Sequence, residues 1–401
     1  MRILRIIYEW PPPWQGLAPH PYELTIAQSN MGHVVDVFCG WWPKSGPIEE
    51  YPNVKIHPFI REPLPATVSF TTSLLMLVYF LMWPFKNKVD VIHCHGHFAI
   101  WIYLYRLMLQ KFSKDSDDLK VPLVVHFHNT VAGRWKAAEE KEIKLKWYTK
   151  YIQWPIEKMA NKWAVKTADA MIFVSEENKK EAIEYYKADA NKCFVVETGV
   201  NVNTFKPTTL EERDKSRVEL GFDSYDKIIL NNGSMVERKN IHLIVESLAY
   251  LPDTFKLLLV GPGDPEYLIR INEIIETNHL GGRVTKIGYT PYPQIPIAFQ
   301  VADIFVLPSS FEGLPKVVMQ SLACEVPVLA SGFRVMDQID GLYYLDNLDP
   351  KYIAESIMQI LENPRRVDRF KIVHSYSWEV KARQLEEVYK FVLRNIANTG
   401  V

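Results

Sequence analysis

Short apolar runs alternate with longer amphipathic stretches along the whole chain. Many of the runs are rich in β-branched residues, and several are apolar nearly throughout, as expected for parallel strands covered by helices on both faces. We therefore predict strands at Ile3–Tyr8, Val34–Phe38, Val54–Ile60, Val89–His93, Leu123–Phe127, Ala170–Val174, Cys193–Glu197, Lys227–Asn231, Phe255–Val260, Val284–Ile287, Ile304–Leu307, Pro327–Ala330 and Leu342–Tyr344.

Helices are predicted in the stretches between these strands. Gly32 can end the first helix in a left-handed conformation, and Ser175 can cap a later one at its N-terminus. The predicted helices include Tyr22–Met31, Glu177–Tyr186, Asn240–Tyr250, Glu266–His279, Leu314–Ala323, Tyr352–Glu362 and Ser377–Ile396.

Alternation of strand and helix occurs in two series, which predicts two doubly wound α/β domains of the Rossmann type facing across a cleft. We assign residues 1–200 to the first domain, residues 201–376 to the second, and residues 377–401 to a C-terminal helix that can pack back on the first. Ligands bind at the carboxyl ends of strands in such sheets.

Composition narrows the class of protein. The 401 residues have a formal charge of −1 and are 48% apolar, which argues against a disordered chain and against a general nucleic-acid binder. The four cysteines form no CxxC pair, so neither a zinc ribbon nor a disulfide framework is indicated. The N-terminus lacks the pattern of a secretory signal, and we expect a cytoplasmic protein.

Histidines stand at two predicted strand ends. His93 and His95 share one face of their strand, as do His126 and His128 of theirs, because side chains alternate along a strand. No cysteine or carboxylate completes a zinc pattern. We expect His93 and His126 to be structural, and His128 to face the cleft where chemistry occurs.

Glycine at position 16 follows the first strand, in a proline-rich loop that precedes the first helix. Gly16 would let backbone amides approach a phosphate at the helix N-terminus; a rigid proline turn without a ligand is the alternative. Two further patterns are weak. The Asp115-x-Asp117 pair lies among lysines like a solvated loop, and Gly261-Pro-Gly263 lacks the third glycine of a dinucleotide fingerprint.

The segment from Leu307 to Ser331 carries the most information. A buried strand ends at Pro308, Glu312 follows in a turn, and a helix then carries Gln320 near its middle. In this prediction the first helical turn presents the amides of Gly313 and Leu314 to an anion, while Glu312 reaches toward hydroxyls. That is the outline of a pocket for a sugar nucleotide.

Glu312 and Gln320 make this segment resemble the E-x7-E region of the family-4 retaining glycosyltransferases, which have the GT-B fold. The resemblance extends over nearly the whole chain. The other matching motifs are Gly16-x3-His20, Glu23-Leu24, Gly32-His33, Asp90-Val-Ile-His-Cys-His95, Val124-Val-His-Phe-His128, Ala168-Asp-Ala-Met-Ile-Phe-Val-Ser175, Thr198-Gly-Val-Asn201 with Phe205-Lys-Pro207, and Asn232-Gly-Ser-Met-Val-Glu-Arg-Lys239.

The resemblance implies transfer of a sugar from a nucleotide-diphosphate sugar with retention of anomeric configuration, without a metal and without a cofactor beyond the donor substrate. By that resemblance Lys239 neutralises the diphosphate, Glu312 contacts the transferred sugar and His128 lines the reaction centre. Position 320 holds the ribose hydroxyls, Gly16 offers its amide to the phosphates, and His20 lies in the same substrate-binding loop.

Three positions depart from the family pattern. Ser234 stands where an arginine is usual, so one phosphate clamp is missing, and Arg238 can replace it from another angle. Gln320 replaces a glutamate, and its amide lacks the strength of a charge-assisted hydrogen bond. Glu325 stands where glycine usually ends the helix.

Two segments bear on contact with a membrane, and for the first of them a helix buried against the sheet is the favoured interpretation. Residues 63–85 contain no charged side chain, which leaves a membrane span, a buried helix and an interfacial helix open. Residues 134–166 hold nine Lys and Arg against four Glu, interleaved with tryptophans. This pattern fits an anionic membrane surface; a solvated helical face with core tryptophans is the alternative.

The sequence thus predicts a glycosyltransferase acting on a carbohydrate or lipid-linked acceptor, in synthesis of a cell-envelope polysaccharide or glycolipid, with peripheral contact to the inner face of the membrane. An epimerase of the same fold is disfavoured by the order of the motifs, and a phosphorylase by the lack of an obvious lysine context for pyridoxal phosphate. A catalytically weakened protein that binds a sugar nucleotide or a glycan is the alternative from another class, motivated by Ser234 and Gln320.

Overall fold

The computed structural model describes residues 1–14, 16–42, 46–61, 67–140, 147–335 and 337–399. The chain divides into two compact units. Unit 1 comprises Met1–Thr198 together with the residues from Trp378 onward, and unit 2 comprises Gly199–Ser377.

Unit 1 contains a seven-stranded sheet in the order β3-β2-β1-β4-β5-β6-β7, with every neighbouring pair parallel. Its strands are β1 Arg2–Glu9, β2 Val34–Trp41, β3 Val54–Ile60, β4 Val91–His95, β5 Leu123–Phe127, β6 Ala170–Phe173 and β7 Cys193–Val195. Its helices are α1 Pro19–Asn30, α2 Val68–Met82, α3 Ile100–Phe112, α4 Asp117–Lys120, α5 Val131–Glu140, α6 Trp154–Thr167, α7 Glu176–Tyr186 and the C-terminal α15 Trp378–Thr399.

Unit 2 contains a six-stranded parallel sheet in the order β10-β9-β8-β11-β12-β13. Its strands are β8 Lys227–Asn232, β9 Phe255–Val260, β10 Val284–Ile287, β11 Ile304–Pro308, β12 Val328–Ser331 and β13 Leu342–Tyr344. Its helices are α8 Leu210–Glu219, α9 Ile241–Ser247, α10 Pro265–Thr277, α11 Pro296–Val301, α12 Lys316–Ala323, α13 Pro350–Glu362 and α14 Arg369–Tyr376.

Side-chain alternation in the first sheet feeds two separate cores. In β1, Leu4 and Ile6 pack into the core beneath α2 and α3, whereas Ile3 and Ile7 pack into the core shared with α1 and α15. The predicted C-terminal helix therefore belongs to the first Rossmann-like unit, against α1. The two parallel sheets and the long C-terminal helix confirm the predicted α/β architecture.

Several local predictions are confirmed. Gly32 has φ 85° after α1, and the Ser175 hydroxyl accepts a hydrogen bond from the Asn178 amide at 3.2 Å to cap α7. Between the two strand series, where no helix is predicted, the chain forms α8, whose capping box joins Thr209 and Glu212.

Two predicted helix starts are wrong, since α1 begins at Pro19 rather than at Tyr22. Helix α12 begins at Lys316 rather than at Leu314. Pro315 has an extended conformation, and a residue that precedes proline is disfavoured in the helical region. The amides of Gly313 and Leu314 therefore lie in the turn before the helix.

The uncharged segment contains α2, while residues 63–66 lie outside the described residues. Met76 and Phe80 are buried in the core. The opposite face leaves apolar side chains exposed, among them Val78 at 48% and Met82 at 72%. Within the described part of the chain, no helix combines the length and the apolar character that a membrane span requires.

Glu325, which ends α12, has φ 61°. The left-handed region strains a residue with a Cβ and suits glycine. We expect Glu325→Gly to raise the free energy of unfolding by about 1 kcal/mol, measured by urea denaturation. As a control, Glu355→Gly inside α13 should lower it by about 1 kcal/mol. Equal destabilisation by both variants would contradict the strain argument.

Candidate functional site

Four histidines of unit 1 lie on one face of its sheet, at the carboxyl ends of two neighbouring strands. His95 of β4 is paired in register with His126 of β5. Because side chains alternate along a strand, His93 and His95 share a face, and His126 and His128 share it with them. This is the face that α1 and α15 cover.

The four imidazoles form a stack. Neighbouring rings have centroids 4.7 to 5.5 Å apart and are within 17° of parallel. His95 Nδ1 and His128 Nε2 are 2.9 Å apart and share a hydrogen bond. His20 of α1 lies across the stack, with its ring perpendicular to that of His128 at 4.4 Å. The structure thus brings predicted residues His20 and His128 together.

Burial keeps three of the four imidazoles, those of His93, His95 and His126, uncharged. Loss of solvent holds the pKa values of His93 and His95 well below the ordinary range and lowers the pKa of His126 to about 3. The positive charge of Arg5 acts in the same direction. Neutral imidazoles can donate and accept hydrogen bonds at once, which suits them to bind hydroxyl groups.

Arg5 is fully buried beneath this stack. Its guanidinium donates to the Pro21 carbonyl at 3.3 Å and to the Gln28 side chain. Burial lowers its pKa to about 10, partly offset by Tyr389 of α15. Tyr389 in turn hydrogen-bonds His93 Nδ1 at 2.5 Å. This network was missed in the sequence, where an arginine inside an otherwise apolar strand was the available signal.

Two groups of histidines place one ring nitrogen each within 4.8 Å of one another: His20, His95 and His128, and His93, His95 and His126. Neither group includes a carboxylate or a cysteine. The second group consists of nearly parallel rings, whose in-plane lone pairs do not converge on one point. In the first, His95 and His128 already bond each other. The arrangement fits hydrogen bonding better than tetrahedral metal ligation.

The Gly16 loop holds a carboxylate of its own chain. Glu9 accepts a hydrogen bond from the Leu17 amide, and a Cβ on Gly16 would lie 2.6 Å from both Glu9 oxygens. Arg61 pairs with the same carboxylate at 3.2 Å. The amide next to Gly16, predicted to face a phosphate, is therefore bound by Glu9. Pairing of Glu9 with Arg61 is a long-range contact that sequence spacing does not reveal.

Lys239 of unit 2 is buried beside the end of β8, with 8% of its surface exposed. Burial lowers its pKa, and Glu312 opposes this shift. Gly233 has φ 136°, and a Cβ there would overlap the Lys239 ammonium. Glycine at 233 thus lets this cation lie against the strand end.

Glu312 is fixed by three groups of the turns around it. Arg238 Nη1 contacts its carboxylate at 2.7 Å, the Ser309 hydroxyl donates to it at 3.1 Å, and the Glu312 amide donates to the Gly332 carbonyl at 2.8 Å. Asn240 joins the same turns by donating to the Pro308 carbonyl at 2.9 Å. Glu312 therefore lies in a hydrogen-bonded assembly at the strand ends of the second sheet, close enough for its charge to act on Lys239.

The remaining predicted residues of unit 2 lie around this assembly. Ser234 is exposed in the turn after β8, and Leu314 is buried in the turn before α12 together with half-buried Gly313. Gln320 is buried on α12. Arg238, predicted to replace the missing arginine on phosphate, is engaged here with Glu312 and with the Phe311 carbonyl at 3.0 Å.

The basic, tryptophan-rich segment at residues 134–166 is only partly exposed to solvent. Trp154 is buried beside Val131 and Ala138, whereas Trp147 is 68% exposed. Residues 141–146, which carry several of the lysines, lie outside the described residues.

Sequence comparison now adds to this geometry. The model of "Glycosyltransferase Family 4" matches residues 14–204, and that of "Glycosyl transferases group 1" matches residues 212–372. The chain belongs to the family-4 glycosyltransferases. The resemblance inferred from its motifs is confirmed.

Relatives of this family-4 glycosyltransferase are distant. Alpha-maltose-1-phosphate synthase of Mycolicibacterium smegmatis is 24% identical over 98% of this chain and 100% of its own length. UDP-Gal:alpha-D-GlcNAc-diphosphoundecaprenol alpha-1,3-galactosyltransferase of Escherichia coli is 23% identical over 86% of this chain and 87% of its own. The structure of sucrose-phosphate synthase from Thermosynechococcus elongatus superposes with a TM-score of 0.77 at 21% identity, covering 98% and 99% of the two chains, which confirms the GT-B fold.

The neutral stack predicts an acid-sensitive fold. His126 has a pKa of about 3 in the folded protein, against an ordinary value of 6.5. Between these two pH values His126 is therefore protonated in the unfolded chain but not in the folded one. Stability should fall by about 1.4 kcal/mol per pH unit from this residue as pH drops from 6.5 toward 3. His126→Asn should reduce the slope by that amount, measured by urea unfolding at pH 7.5, 6 and 5.

His374→Asn removes an exposed histidine and serves as the control, expected to leave the slope unchanged. A His126→Asn protein with the wild-type pH dependence would show that His126 is not held neutral in the folded state.

Proposed function

We propose that this glycosyltransferase moves a sugar from a nucleotide-diphosphate donor to a carbohydrate or lipid-linked acceptor, with retention of configuration and without a metal. The observation that carries the proposal is the assembly of a buried lysine, Lys239, with a fixed carboxylate, Glu312, at the strand ends of unit 2. A donor sugar presents both a diphosphate and hydroxyls. The lysine can pair with the diphosphate, and the carboxylate can accept hydrogen bonds from the hydroxyls.

Lys239 would stabilise the departing nucleotide diphosphate. Negative charge builds up on that group as the glycosidic bond breaks, so a preorganised cation favours the transition state over the ground state. Burial of Lys239 strengthens this attraction because the surroundings screen it less than water does. A lysine provides this charge in place of the divalent metal that other phosphate sites use.

Glu312 would bind hydroxyls of the transferred sugar, and Gln320 those of the ribose. Arg238 and Ser309 hold the Glu312 carboxylate, so little orientational freedom is lost when the sugar binds. Gly313, Leu314 and Ser234 would contribute backbone or hydroxyl contacts in the same turns.

His128 would contact the reacting sugar, and His20 would line the same site in unit 1. The neutral environment of the stack favours hydrogen bonds to hydroxyls. Gly16 would offer its amide to the phosphates, and the neighbouring Leu17 amide could join it only after Glu9 releases that amide.

Lys239→Met should lower kcat/KM by about 100-fold or more, the cost of removing one preorganised charge-stabilising group. Transfer and donor hydrolysis are measured across UDP-, GDP- and ADP-sugars, and the anomeric configuration of the product is read by NMR. Lys227→Met, at the opposite end of the same strand β8, should behave like wild type. Equal activity of the two variants would show that Lys239 has no role in the reaction.

Ser234 and Gln320 favour the second candidate, a protein that binds a sugar nucleotide or glycan without turnover. That candidate predicts a nucleotide-induced rise in Tm with no transfer from any of the three donor classes. The same donor panel therefore separates the two functions.

A lipid-linked acceptor would place the protein at a membrane surface. The exposed apolar face of α2 and the exposed Trp147 support such a contact, since apolar side chains outside the core gain from entering an interface. The diphosphoundecaprenol acceptor in the name of the E. coli relative is a precedent for that class.

Val78→Asp combined with Met82→Asp should reduce binding to phosphatidylglycerol vesicles at least about tenfold, because two apolar side chains no longer leave water. Sedimentation of the protein with vesicles measures this. The control is Val218→Asp on α8. The Val218 side chain is 71% exposed and lies outside the α2 face, so this variant should bind vesicles like the wild type. Failure of the wild-type protein to sediment with anionic or zwitterionic vesicles would refute the membrane contact while leaving transfer itself untouched.

A further inference from the structure

We propose that Asn240 is a positioning residue that fixes Lys239 and Glu312 relative to each other. The proposal deepens the proposed function, on which the roles of Lys239 and Glu312 rest. Asn240 follows Lys239 directly in the chain. Its side-chain Nδ2 donates hydrogen bonds to the Pro308 carbonyl and to the Ser310 hydroxyl oxygen, both at 2.9 Å. It thereby joins the chain after β8 to the turn that leads from β11 to Glu312.

Strands β8 and β11 are paired over a short length only. Their register covers two residue pairs and ends at Leu230 and Phe305, whereas β11 and β12 stay paired as far as Pro308 and Ser331. The sheet order runs in opposite directions from this point, to β9 and β10 on one side and to β12 and β13 on the other. Such a switch point opens a crevice at the carboxyl ends of the strands, where ligands bind.

Side-chain amides take over where this ladder of backbone hydrogen bonds ends. Asn231 Nδ2 donates to the Val306 carbonyl at 2.7 Å, and Asn240 Nδ2 donates to the Pro308 carbonyl, two residues further along β11. Both carbonyls belong to buried residues, and buried carbonyls need partners. A carbonyl oxygen can only accept, so the nitrogen of each amide must face it. Asn231 thus joins the two strands, and Asn240 joins the turns beyond them.

The backbone of Asn240 is left-handed, with φ 49°. Asparagine tolerates this conformation better than most residues that have a Cβ. Asn240 ends the short 3-10 helix Glu237–Lys239 and precedes α9, which begins at Ile241. The left-handed residue therefore sets the path of the chain away from Lys239, and its two side-chain hydrogen bonds tie that path to β11.

The chain on the other side of Lys239 is bonded to the same turn. The Ser310 amide donates to the Arg238 carbonyl at 2.8 Å, and Arg238 Nη1 contacts the Glu312 carboxylate at 2.7 Å. Lys239 therefore lies between two residues that both hold the turn before Glu312. Without the Asn240 amide one of these two attachments is lost, and the ammonium and the carboxylate can shift relative to each other.

Asn240→Gly is the decisive variant, because glycine keeps the left-handed backbone and removes both side-chain hydrogen bonds. Hydrogen–deuterium exchange of the substrate-free protein, followed by mass spectrometry of peptides from residues 308–314, measures the effect directly. The amides of Ser310 and Glu312, which donate to the carbonyls of Arg238 and Gly332, should exchange about 5- to 30-fold faster than in the wild type, as expected for the loss of two ordinary hydrogen bonds. Unchanged exchange of these amides would overturn the proposal.

His279→Gly is the matched control. His279 is also left-handed, with φ 55°, but it is exposed just after α10, so its glycine variant should leave exchange and kcat unchanged. Asn240→Gly should lower kcat by about 10- to 100-fold, because a small misplacement of reacting groups costs about that much. The KM for the donor should stay within about threefold of the wild-type value, since the lost alignment acts mainly in the transition state. Equal kcat in the two variants would also overturn the proposal.

The exchange measurement separates this proposal from the proposed function. It needs no substrate, so an absence of transfer from UDP-, GDP- and ADP-sugars would refute the function and leave the exchange result to stand. If Asn240→Gly does not fold, Asn240→Asp provides the same test. Its side chain has the same shape and tolerates the left-handed region, but an ionised carboxylate cannot donate to the Pro308 carbonyl. Exchange in Asn240→Asp at the wild-type rate would contradict the role assigned to Asn240.

Discussion

The parallel direction of every strand is the constraint on which the candidate chemistry depends. In each unit all strand carboxyl ends lie at one edge of the sheet, so residues far apart in sequence meet there. This edge brings His95 of β4 beside His128, which follows β5, and it brings Lys239 after β8 beside Glu312 after β11. The helices then decide whether each group is buried or open.

The two edges differ in electrostatic character. Unit 1 buries neutral imidazoles near the guanidinium of Arg5, whose two terminal nitrogens donate to neutral oxygens. Unit 2 instead pairs the cation of Arg238 with the carboxylate of Glu312, and the charge of Glu312 also acts on the buried Lys239. A neutral polar surface suits hydroxyl groups, whereas a buried cation suits a diphosphate. The division of labour proposed for the two units follows from this contrast.

Period and apolar character predicted the thirteen strands close to their observed positions, because a buried parallel strand needs a nearly continuous apolar run. The predicted start of α12 is wrong because Pro315 disfavours the helical region for the preceding Leu314. The sequence predicts only part of the histidine stack. Spacing places His93 with His95 and His126 with His128, but the register of β4 and β5, which joins the two pairs, is a property of the fold. The contacts of Glu9 with Arg61 and of His93 with Tyr389 depend on tertiary packing that the sequence does not encode locally.

A crystal structure of the protein with UDP, GDP or ADP would test the central claim most directly. The account predicts a nucleotide bound at the strand ends of unit 2, with its diphosphate within hydrogen-bond reach of Lys239 Nζ and its ribose beside Gln320. A diphosphate bound at the Gly16 loop with Glu9 displaced and Lys239 uninvolved, or no nucleotide bound at millimolar concentration, would contradict it.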